Sequence, residues 1–588
     1  MVCRLPALGL LAALSTAAVA GCDNTETAPG RTGGAGGGIE TGGSGGSGGQ
    51  GEGGAPSDPS GIDWEPCPLY VDQPNGPQAE CALIDAPLRW AEPDGPTIGI
   101  FVQRLRGAAA DVRGQIWFLE GGPGGSGADF DSFMERMQEL DPTLDLYTVD
   151  HRGVGRSARL TCADQEKPSS DWGISVSPDE AAGCRDALVE TWGDDLAEFS
   201  TTAAGRDLAH LIDATAEPGK DVFVYGVSYG TYWAHRYLQV APDQATAVIL
   251  DSIAPPGETF VPYDRDFDQV GRDFMALCAA DPLCSEKLGA DPWSALVDLS
   301  NALEEGHCPQ LTATWGLDAS TLPVVLASLL MGPVTRTYFP ALVYRYARCS
   351  PPDIDAIEHL LTVFFGGPQE TTYYDELMSD SLFYNVALSE LWPNANEHPT
   401  LRAINAEQAG LEVTVGLTPR VTEVQGIWPA YPDDEYVEEW ADTDIPLLMM
   451  NGDLDPQTPI WVAQPAAEHL HAANQQFVRV PRSAHCVVAA TPVAQSSDQS
   501  CGLTMMLSFL QDPNVPVDTS CIANIPAESF TGVPANNLYV FGIQDLWENV
   551  QAAAAAPSTV EPRFRRELSR VRRWLRSRGV TLQHETRH

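Results

Sequence analysis

The sequence has little positive charge. Its 588 residues carry 80 acidic and 34 basic side chains, which gives a formal charge of −46 at pH 7. Lysine occurs only at Lys167, Lys220 and Lys287, so arginine supplies nearly all of the positive charge. A protein of this sign repels a phosphate backbone. We therefore expect no nucleic-acid partner.

Motifs for metals and phosphates are also lacking. The cysteines and histidines do not cluster at the spacings that bind zinc. The glycine-rich run at 119–127, "LEGGPGGSG", is not followed by the Gly-Lys-Ser/Thr of a phosphate-binding loop. The sequence therefore predicts neither a metal nor a cofactor.

Apolar runs long enough to span a bilayer are absent as well, and the first apolar run is short. It follows Arg4 and ends in small residues, which is typical of a secretory signal. Its end, Val19-Ala20-Gly21-Cys22, resembles the bacterial lipoprotein processing box. We expect a signal peptide at 1–21, a lipid on Cys22 that anchors the exported protein to a membrane of the cell envelope, and a Gly/Ser-rich linker within 22–61. A secreted protein is the alternative.

Cysteine is plentiful, since the chain has thirteen. Cys3 would be lost with the signal and Cys22 would carry the lipid, which leaves eleven. Disulfides are the default in an exported protein. Proximity along the chain suggests five pairs and leaves Cys486, beside His485, unpaired. The five pairs are Cys67–Cys81, Cys162–Cys184, Cys278–Cys284, Cys308–Cys349 and Cys501–Cys521.

Six short, nearly continuous apolar runs have the composition of buried parallel strands. Helical patterns at 204–216 and 231–240 lie between several of them, before and after the run at 222–228, so strand and helix alternate. This order predicts a doubly wound, mostly parallel α/β sheet. The runs lie at 116–120, 144–150, 222–228, 247–252, 445–452 and 476–481.

The alternation stops between Ser252 and Ile445, over a stretch too long for a loop. The stretch has a helical pattern and many aromatic residues, so we expect a mainly helical cap domain inserted into the sheet domain. The expected units are a first core part at 62–257, the cap at 258–440, a second core part at 441–535 and a C-terminal extension at 536–588.

A serine framed by two glycines follows the strand at 222–228, in Gly226-Val227-Ser228-Tyr229-Gly230. Gly-x-Ser-x-Gly between a strand and a helix is typical of a nucleophile elbow, which exposes the serine Oγ at the carboxyl edge of the sheet. An ordinary glycine turn is the alternative. The strand before it and the helix after it favour Ser228 as a nucleophile.

A serine nucleophile needs a histidine base and a carboxylate that orients the histidine. In this fold they follow the serine in the order acid, then histidine. The stretch "NGDLDPQTP" follows the strand at 445–452 and offers Asp453 and Asp455. His485 lies in the turn after the last core strand. The sequence therefore predicts His485 as the base.

Acyl transfer also needs backbone donors for the oxyanion. The glycine-rich run at 119–127 follows the strand at 116–120, beside the elbow. We assign the donors to the amides of Gly122 and Tyr229, the residue after the nucleophile.

Four motifs in the chain carry a family resemblance: "GGPGGSG" at 121–127, "DHRGVGRS" at 150–157, "GVSYGT" at 226–231 and "LDPQTP" at 454–459. Together they resemble the prolyl aminopeptidase and tripeptidyl aminopeptidase family of α/β-hydrolase serine peptidases, and they favour its tripeptidyl branch. The resemblance covers roughly residues 62–535. It implies Asp455, which directly precedes Pro-x-Thr-Pro, as the catalytic acid, and leaves Asp453 solvated.

The resemblance implies an exported exopeptidase that releases short peptides, such as tripeptides, or single residues from free N-termini. Such an enzyme needs an acid that binds the substrate ammonium group. We expect Glu390 to serve, because "SELWP" matches a cap segment in which relatives carry an acid; a solvated helix glutamate is the alternative. Glu376 and Asp380 lie nearby and are further candidates.

The sequence leaves two other functions open. A secreted carboxylesterase or lipase would use the same triad, and fold alone does not exclude it. A non-catalytic binding protein is disfavoured, because all three triad residue types are present.

The C-terminal stretch from Pro562 to Arg578 is basic and amphipathic, with Phe564, Leu568, Val571 and Leu575 on one helical face. Such a helix can lie on an anionic membrane surface. It can equally dock on the acidic body of the same protein.

Overall fold

The protein folds around one nine-stranded mixed sheet. This computed structural model describes residues 61–167, 169–170, 172–366, 373–491, 493 and 500–548, together with 564, 565, 568 and 571. The strand order is β1-β2-β3-β5-β4-β6-β7-β8-β9. The strands are β1 Glu65–Pro68, β2 Gln78–Pro87, β3 Thr97–Leu105, β4 Gly114–Leu119, β5 Leu144–Val149, β6 Asp221–Ser228, β7 Ala247–Ile253, β8 Leu447–Gly452 and β9 Gln475–Val480.

Strands β4 to β9 pair in parallel and form the larger part of the sheet. They coincide with the six predicted runs to within two residues, because strands covered on both faces are continuously apolar. The predicted α/β-hydrolase fold, with its doubly wound and mostly parallel sheet, is confirmed.

Three antiparallel strands, β1 to β3, extend one edge of the sheet and were not predicted. The buried residues of β2 are Ala79, Ala82 and Ala86, and more exposed residues, including Glu80 and Asp85, lie between them. A strand with one wet face lacks the continuous apolar run that marked the others.

Helices pack on both faces of the parallel strands. Ser200 begins α3 as its N-cap, since its side chain accepts a hydrogen bond from the Ala203 amide. The helices around the first core strands are α1 Asp131–Leu140, α2 Ala181–Trp192, α3 Thr201–Thr215 and α4 Tyr229–Val240. The predictions at 204–216 and 231–240 correspond to α3 and α4.

The described chain between β7 and β8 contains helices and no strand. Its helices are α5 Tyr263–Ala280, α6 Pro282–Leu288, α7 Pro292–Glu304, α8 Pro309–Trp315, α9 Leu322–Leu330, α10 Tyr338–Arg348, α11 Pro351–Phe365, α12 Tyr373–Leu377, α13 Asp380–Glu390, α14 Leu401–Gln408 and α15 Leu417–Val424. We call this stretch the helical insertion; the predicted domain boundaries stay predictions.

Short helices follow β8 and β9, and the last of them packs on the helical insertion. They are α16 Ile460–Ala463, α17 Ala466–His469, α18 Val487–Ala490, α19 Cys501–Gln511 and α20 Pro534–Phe541. Short 3-10 helices lie at Gly127–Phe130, Gly193–Glu198, Thr335–Thr337 and Ser520–Asn524. His359 of α11 lies 2.9 Å from the Tyr539 carbonyl through Nε2.

All five predicted disulfides are present, and Cys486, which is buried, belongs to none of them. Disulfides persist in oxidising compartments, so they indicate an exported protein. Among the described residues, no helix is long and apolar enough to cross a membrane.

The described part of the basic C-terminal stretch has its apolar face covered by the protein. Phe564, Leu568 and Val571 are buried. Phe564 packs on the rings of Tyr338 and Tyr539, with ring centroids 6.0 Å and 6.1 Å away. These contacts favour docking on the body of the protein. Leu575 lies outside the described residues.

Candidate active site

Ser228 lies at the turn between β6 and α4, with φ 56° and ψ −129°. This conformation is rare for a residue with a side chain. The turn also requires both flanking glycines. A Cβ on Gly226 would lie 2.2 Å from the Gly230 carbonyl oxygen, and one on Gly230 would lie 2.2 Å from that of Leu119. The local sequence thus permits the sharp turn that a nucleophile elbow needs.

The structure brings Asp455 and His485 together. Nδ1 of His485 lies 2.9 Å from each carboxylate oxygen of Asp455. Asp455 is fully buried and also accepts hydrogen bonds from the amides of Gln457 and Thr458 and from the Thr458 hydroxyl. Within the described chain, Nε2 of His485 is buried and has no hydrogen-bond partner. A carboxylate that holds Nδ1 in this way leaves Nε2 for a proton from the serine.

Asp453 lies two residues earlier and points elsewhere. It forms an ion pair with Arg479, whose side chain is more than half exposed. A carboxylate engaged at the surface is not available to orient His485. The geometry therefore agrees with the choice of Asp455 over Asp453.

Ser228 opens onto a cavity between the sheet and the helical insertion. Gly122, Tyr229 and Thr458 line the same cavity. Tyr229 is the first residue of α4, so its N–H has no acceptor within the helix. The predicted oxyanion donors and the predicted nucleophile thus share one space, in which backbone donors can face a substrate carbonyl.

The glycine-rich loop before α1 is fixed by the next strand. Asp150, at the end of β5, accepts hydrogen bonds from the Ser126 hydroxyl at 2.6 Å and from the Gly127 amide at 2.9 Å. Arg156 pairs with the same carboxylate at 3.0 Å. The "DHRGVGRS" segment therefore holds the loop that carries Gly122.

Glu390 does not lie among the residues that line the cavity. It is buried at the end of α13 and pairs with Arg236 of α4 at 3.3 Å. Its two oxygens also accept hydrogen bonds from the Thr201 amide, the Tyr232 hydroxyl and the Tyr431 hydroxyl. With both oxygens engaged by the protein, Glu390 is poorly placed for the predicted contact with a substrate ammonium group.

The two alternative acids are no better placed. Asp380 forms a buried ion pair with Arg420 and accepts from the Val176 amide at 2.7 Å. Glu376 is exposed, at the end of α12. Neither lines the cavity at Ser228.

Two acids that sequence reasoning missed do line the cavity, Glu258 and Asp266. Burial and the nearby Asp266 raise the pKa of Glu258 to about 7. Burial raises the pKa of Asp266 to about 6, against the opposing hydrogen bond that its Oδ1 accepts from Trp461 at 3.0 Å. Glu258 stands in the loop between β7 and α5, and no motif marks it; only the folded chain brings it to Ser228.

A buried polar network surrounds the hydroxyl group of Tyr229. The Tyr229 hydroxyl lies 2.8 Å from the Thr201 hydroxyl and 3.3 Å from Nε2 of His151. Burial lowers the pKa of His151 to about 3, so its imidazole is neutral at physiological pH. His151 therefore contacts Tyr229, a predicted oxyanion donor, without adding a charge there.

The predicted lipidation site, Cys22, lies outside the described residues, as do the expected signal peptide and nearly all of the linker. The structure provides no geometry for them.

Two family models match the segments of the chain that contain the predicted triad residues. The model described as the alpha/beta hydrolase fold matches residues 116–286, which include Ser228. The model described as TAP-like protein matches residues 422–521, which include Asp455 and His485.

Curated relatives match at modest identity. The tripeptidyl aminopeptidase of Streptomyces lividans is 29% identical over 226 residues, which is 36% of this chain and 41% of that protein. The serine protease Hip1 of Mycobacterium tuberculosis is 28% identical over 260 residues, which is 40% of this chain and 48% of that protein. The chain thus spans less than half the length of these relatives.

A solved bromoperoxidase from Bacillus anthracis aligns with 73% of this chain and 100% of its own, at 12% identity and a TM-score of 0.30, too low to support an argument. The family models and the observed sheet together establish the fold of the chain. The chain has the α/β-hydrolase fold, its residues 422–521 match the model described as TAP-like protein, and its predicted resemblance to the tripeptidyl aminopeptidases is confirmed.

Proposed function

We propose that the protein is a serine exopeptidase that releases short peptides, tripeptides above all, or single residues from free N-termini. One observation carries the proposal: His485 contacts Asp455 at 2.9 Å, while Ser228 shares a cavity with Gly122 and Tyr229. Relatives named tripeptidyl aminopeptidase and serine protease support a peptidase over other hydrolases.

The chemistry follows from the geometry. Ser228 Oγ attacks the scissile carbonyl carbon while Nε2 of His485 takes its proton. Asp455 holds Nδ1 and stabilises the imidazolium that forms. The amides of Gly122 and Tyr229 donate to the oxyanion, and each such donor contributes about 3 to 4 kcal/mol to the lowering of the barrier. His485 then protonates the leaving amine. In the second half of the reaction, His485 takes a proton from a water molecule that attacks the acyl carbon, and returns it to Ser228 Oγ as the acyl group leaves.

An exopeptidase must recognise the free N-terminus of its substrate. Glu258 and Asp266 line the cavity that contains Ser228, whereas Glu390 is held by Arg236. A carboxylate in a poorly hydrated pocket attracts an ammonium group more strongly than one on an open surface. We therefore assign the amine contact to Glu258 and Asp266, and a role in docking α13 on α4 to Glu390.

The assignment sets a pH dependence for binding. Glu258, with a pKa of about 7, is neutral below that pH and anionic above it. A peptide ammonium group stays charged up to a pH of about 8. KM for a free-amine substrate should therefore fall as pH rises through 7, while KM for an acetylated substrate should not change.

The test uses one tripeptidyl anilide, with its amine free and acetylated. The wild type should cleave the free form at least about 100-fold more efficiently. Glu258→Gln should raise KM for the free form about tenfold and leave the acetylated form unaffected, since one well-placed charge contact corresponds to about a factor of ten. Glu390→Gln should keep the preference for the free amine.

Ser228→Ala is the control for chemistry. It should abolish turnover, with a loss on the order of 10⁶, and should abolish labelling by an organophosphonate. If the acetylated substrate is cleaved equally well by the wild type, the exopeptidase proposal fails and a carboxylesterase, lipase or endopeptidase of the same fold takes its place.

We also propose that the protein is exported and anchored to a membrane of the cell envelope by a lipid on Cys22. The five disulfides support export. Cys22→Ser, expressed in a host that processes lipoproteins, should move the protein from the membrane fraction to the soluble fraction. A membrane fraction unchanged by this substitution would overturn the anchor.

A further inference from the structure

Asp251, an acidic residue outside the predicted triad, contacts the turn that follows His485. Asp251 is in β7, the strand next to β6, and is fully buried. Its Oδ1 accepts a hydrogen bond from the Val487 amide at 2.7 Å, and its Oδ2 accepts one from the Val488 amide at 2.9 Å. The two amides lie 236 and 237 residues away along the chain.

The next residue of β7 completes the arrangement. Ser252 Oγ accepts a hydrogen bond from the Cys486 amide at 2.8 Å. The three amides that follow His485 therefore all donate to two consecutive residues of one central strand.

The turn needs such support, because its backbone is strained. Cys486 has a φ of +67°, in the left-handed region that residues with a side chain rarely adopt. Such a conformation costs on the order of 1 to 3 kcal/mol and persists only where the surroundings impose it. The three hydrogen bonds to Asp251 and Ser252 impose it directly after His485.

The groups around Asp251 favour its anionic form. The two amides can only donate, and the Tyr225 hydroxyl also donates to Oδ2 at 2.8 Å. Burial raises the pKa of Asp251, while these hydrogen bonds and the neighbouring His485 act against that rise. A side chain with one acceptor oxygen cannot serve both amides in the same geometry.

We propose that Asp251 is a positioning residue for the catalytic base: its carboxylate fixes the turn at 486–488 and so sets the direction of the His485 imidazole between Asp455 and Ser228. The inference rests on the proposed triad, but not on the preference for peptides. A misplacement of about 1 Å in a catalytic group can cost a factor of about 100 in rate.

The test compares Asp251→Asn with Tyr225→Phe, using a small activated ester such as p-nitrophenyl acetate. Asparagine keeps the size but turns an NH₂ group towards one of the two amides, so kcat should fall about 100-fold with KM within about twofold. Tyr225→Phe removes one hydrogen bond to the same carboxylate and leaves both amide contacts, so kcat should fall by less than about threefold. Circular dichroism and the melting temperature monitor the folded state of each variant.

An unchanged kcat in Asp251→Asn, or an equal loss in Tyr225→Phe, would overturn the proposal, since the carboxylate would then only stabilise the core. If Asp251→Asn does not fold, Ser252→Ala carries the test. It removes the acceptor of the Cys486 amide without adding volume, and it should lower kcat about tenfold at an unchanged KM; a kcat equal to the wild-type value would refute the mechanism.

The ester assay distinguishes a failure of this inference from a failure of the proposed peptidase function. If Ser228→Ala hydrolyses the ester as fast as the wild type, the triad itself is wrong. If the ester assays behave as expected and only the peptide substrates fail, the peptidase proposal fails while the role of Asp251 stands.

Discussion

Ser228 and its neighbours show how single residues create the site. The backbone of Ser228 has a φ of 56°, and contacts at 2.2 Å with backbone oxygens exclude any side chain at Gly226 and Gly230. The strain is local, but the packing of β6 between β4 and β7 maintains it. The hydroxyl thus stands at the carboxyl edge of the sheet before any substrate arrives.

The two aspartates of "NGDLDPQTP" differ in their surroundings and should differ in their effect on rate. Asp455→Asn removes the acceptor that fixes Nδ1 of His485, so kcat should fall about 10⁴-fold, as expected when the imidazole takes the wrong tautomer. Asp453→Asn loses only a surface ion pair with Arg479 and should change kcat by less than about threefold. Steady-state kinetics on one anilide substrate decides the ranking.

A reversed ranking would show that the acid has been assigned wrongly. Equal melting temperatures for the two variants would confirm that the rates report chemistry and not unfolding. Arg479→Gln is a further control, because it breaks the same surface pair from the other side.

Among the elements, α13 and α4 are joined by a buried ion pair. Glu390 ends α13 and pairs with Arg236 of α4, the helix that begins at the residue after Ser228. Both side chains are buried, so removing one partner leaves the other charge without compensation, at a cost of several kcal/mol. Glu390 thus attaches the helical insertion to α4.

The basic C-terminal helix should stabilise the protein through its apolar face. Phe564→Ala should lower the free energy of unfolding by about 3 to 5 kcal/mol, because Phe564 is fully buried against Tyr338 and Tyr539. Arg565→Ala, at an exposed position of the same helix, should change it by less than about 0.5 kcal/mol. Chemical denaturation measures both.

The alternative role of this helix, binding to an anionic membrane surface, can be tested with vesicles. A protein without the lipid should bind anionic vesicles equally well with and without residues 562–588, because the described apolar residues of that stretch already face the protein. Weaker binding of the truncated form, together with an unchanged stability of Phe564→Ala, would favour the membrane surface.

In the whole molecule, the chain after the last strand returns to the helical insertion. Arg345 of α10 donates to the carbonyl of Leu546 at 2.6 Å, and Arg348 pairs with Glu548 at 2.7 Å. Arg345 is itself paired with the buried Asp353 at 3.0 Å. Residues beyond the predicted second core part therefore brace the region between β7 and β8.

Two disulfides of the helical insertion should contribute unequally to stability. Cys308–Cys349 joins residues 41 apart, and Cys278–Cys284 joins residues 6 apart. A cross-link that closes a longer loop removes more entropy from the unfolded chain. Replacing the first pair by alanine should therefore cost about 2 kcal/mol more than replacing the second.

Denaturant titrations with and without a reductant check this prediction. Under reducing conditions the difference between the two double variants should largely disappear, which separates cross-linking from packing. A larger loss for the Cys278–Cys284 pair would contradict the entropic explanation.

The sequence by itself determined the parts whose cause is local. Continuous apolar runs located β4 to β9, the glycines around Ser228 located the elbow, and proximity along the chain gave all five disulfides. The family resemblance, and not a local property of the chain, favoured Asp455 over Asp453, and in the structure that carboxylate accepts from the amides of Gln457 and Thr458.

Tertiary structure alone decided the surroundings of three acidic residues, Glu390, Glu258 and Asp251. Glu390 matched a family segment, yet its position beside Arg236, 154 residues away, uses both of its oxygens. Glu258 and Asp251 carry no motif. The cavity and the turn at His485 give them their surroundings, because burial, charge pairing and the supply of backbone donors depend on elements that come together only when the chain folds.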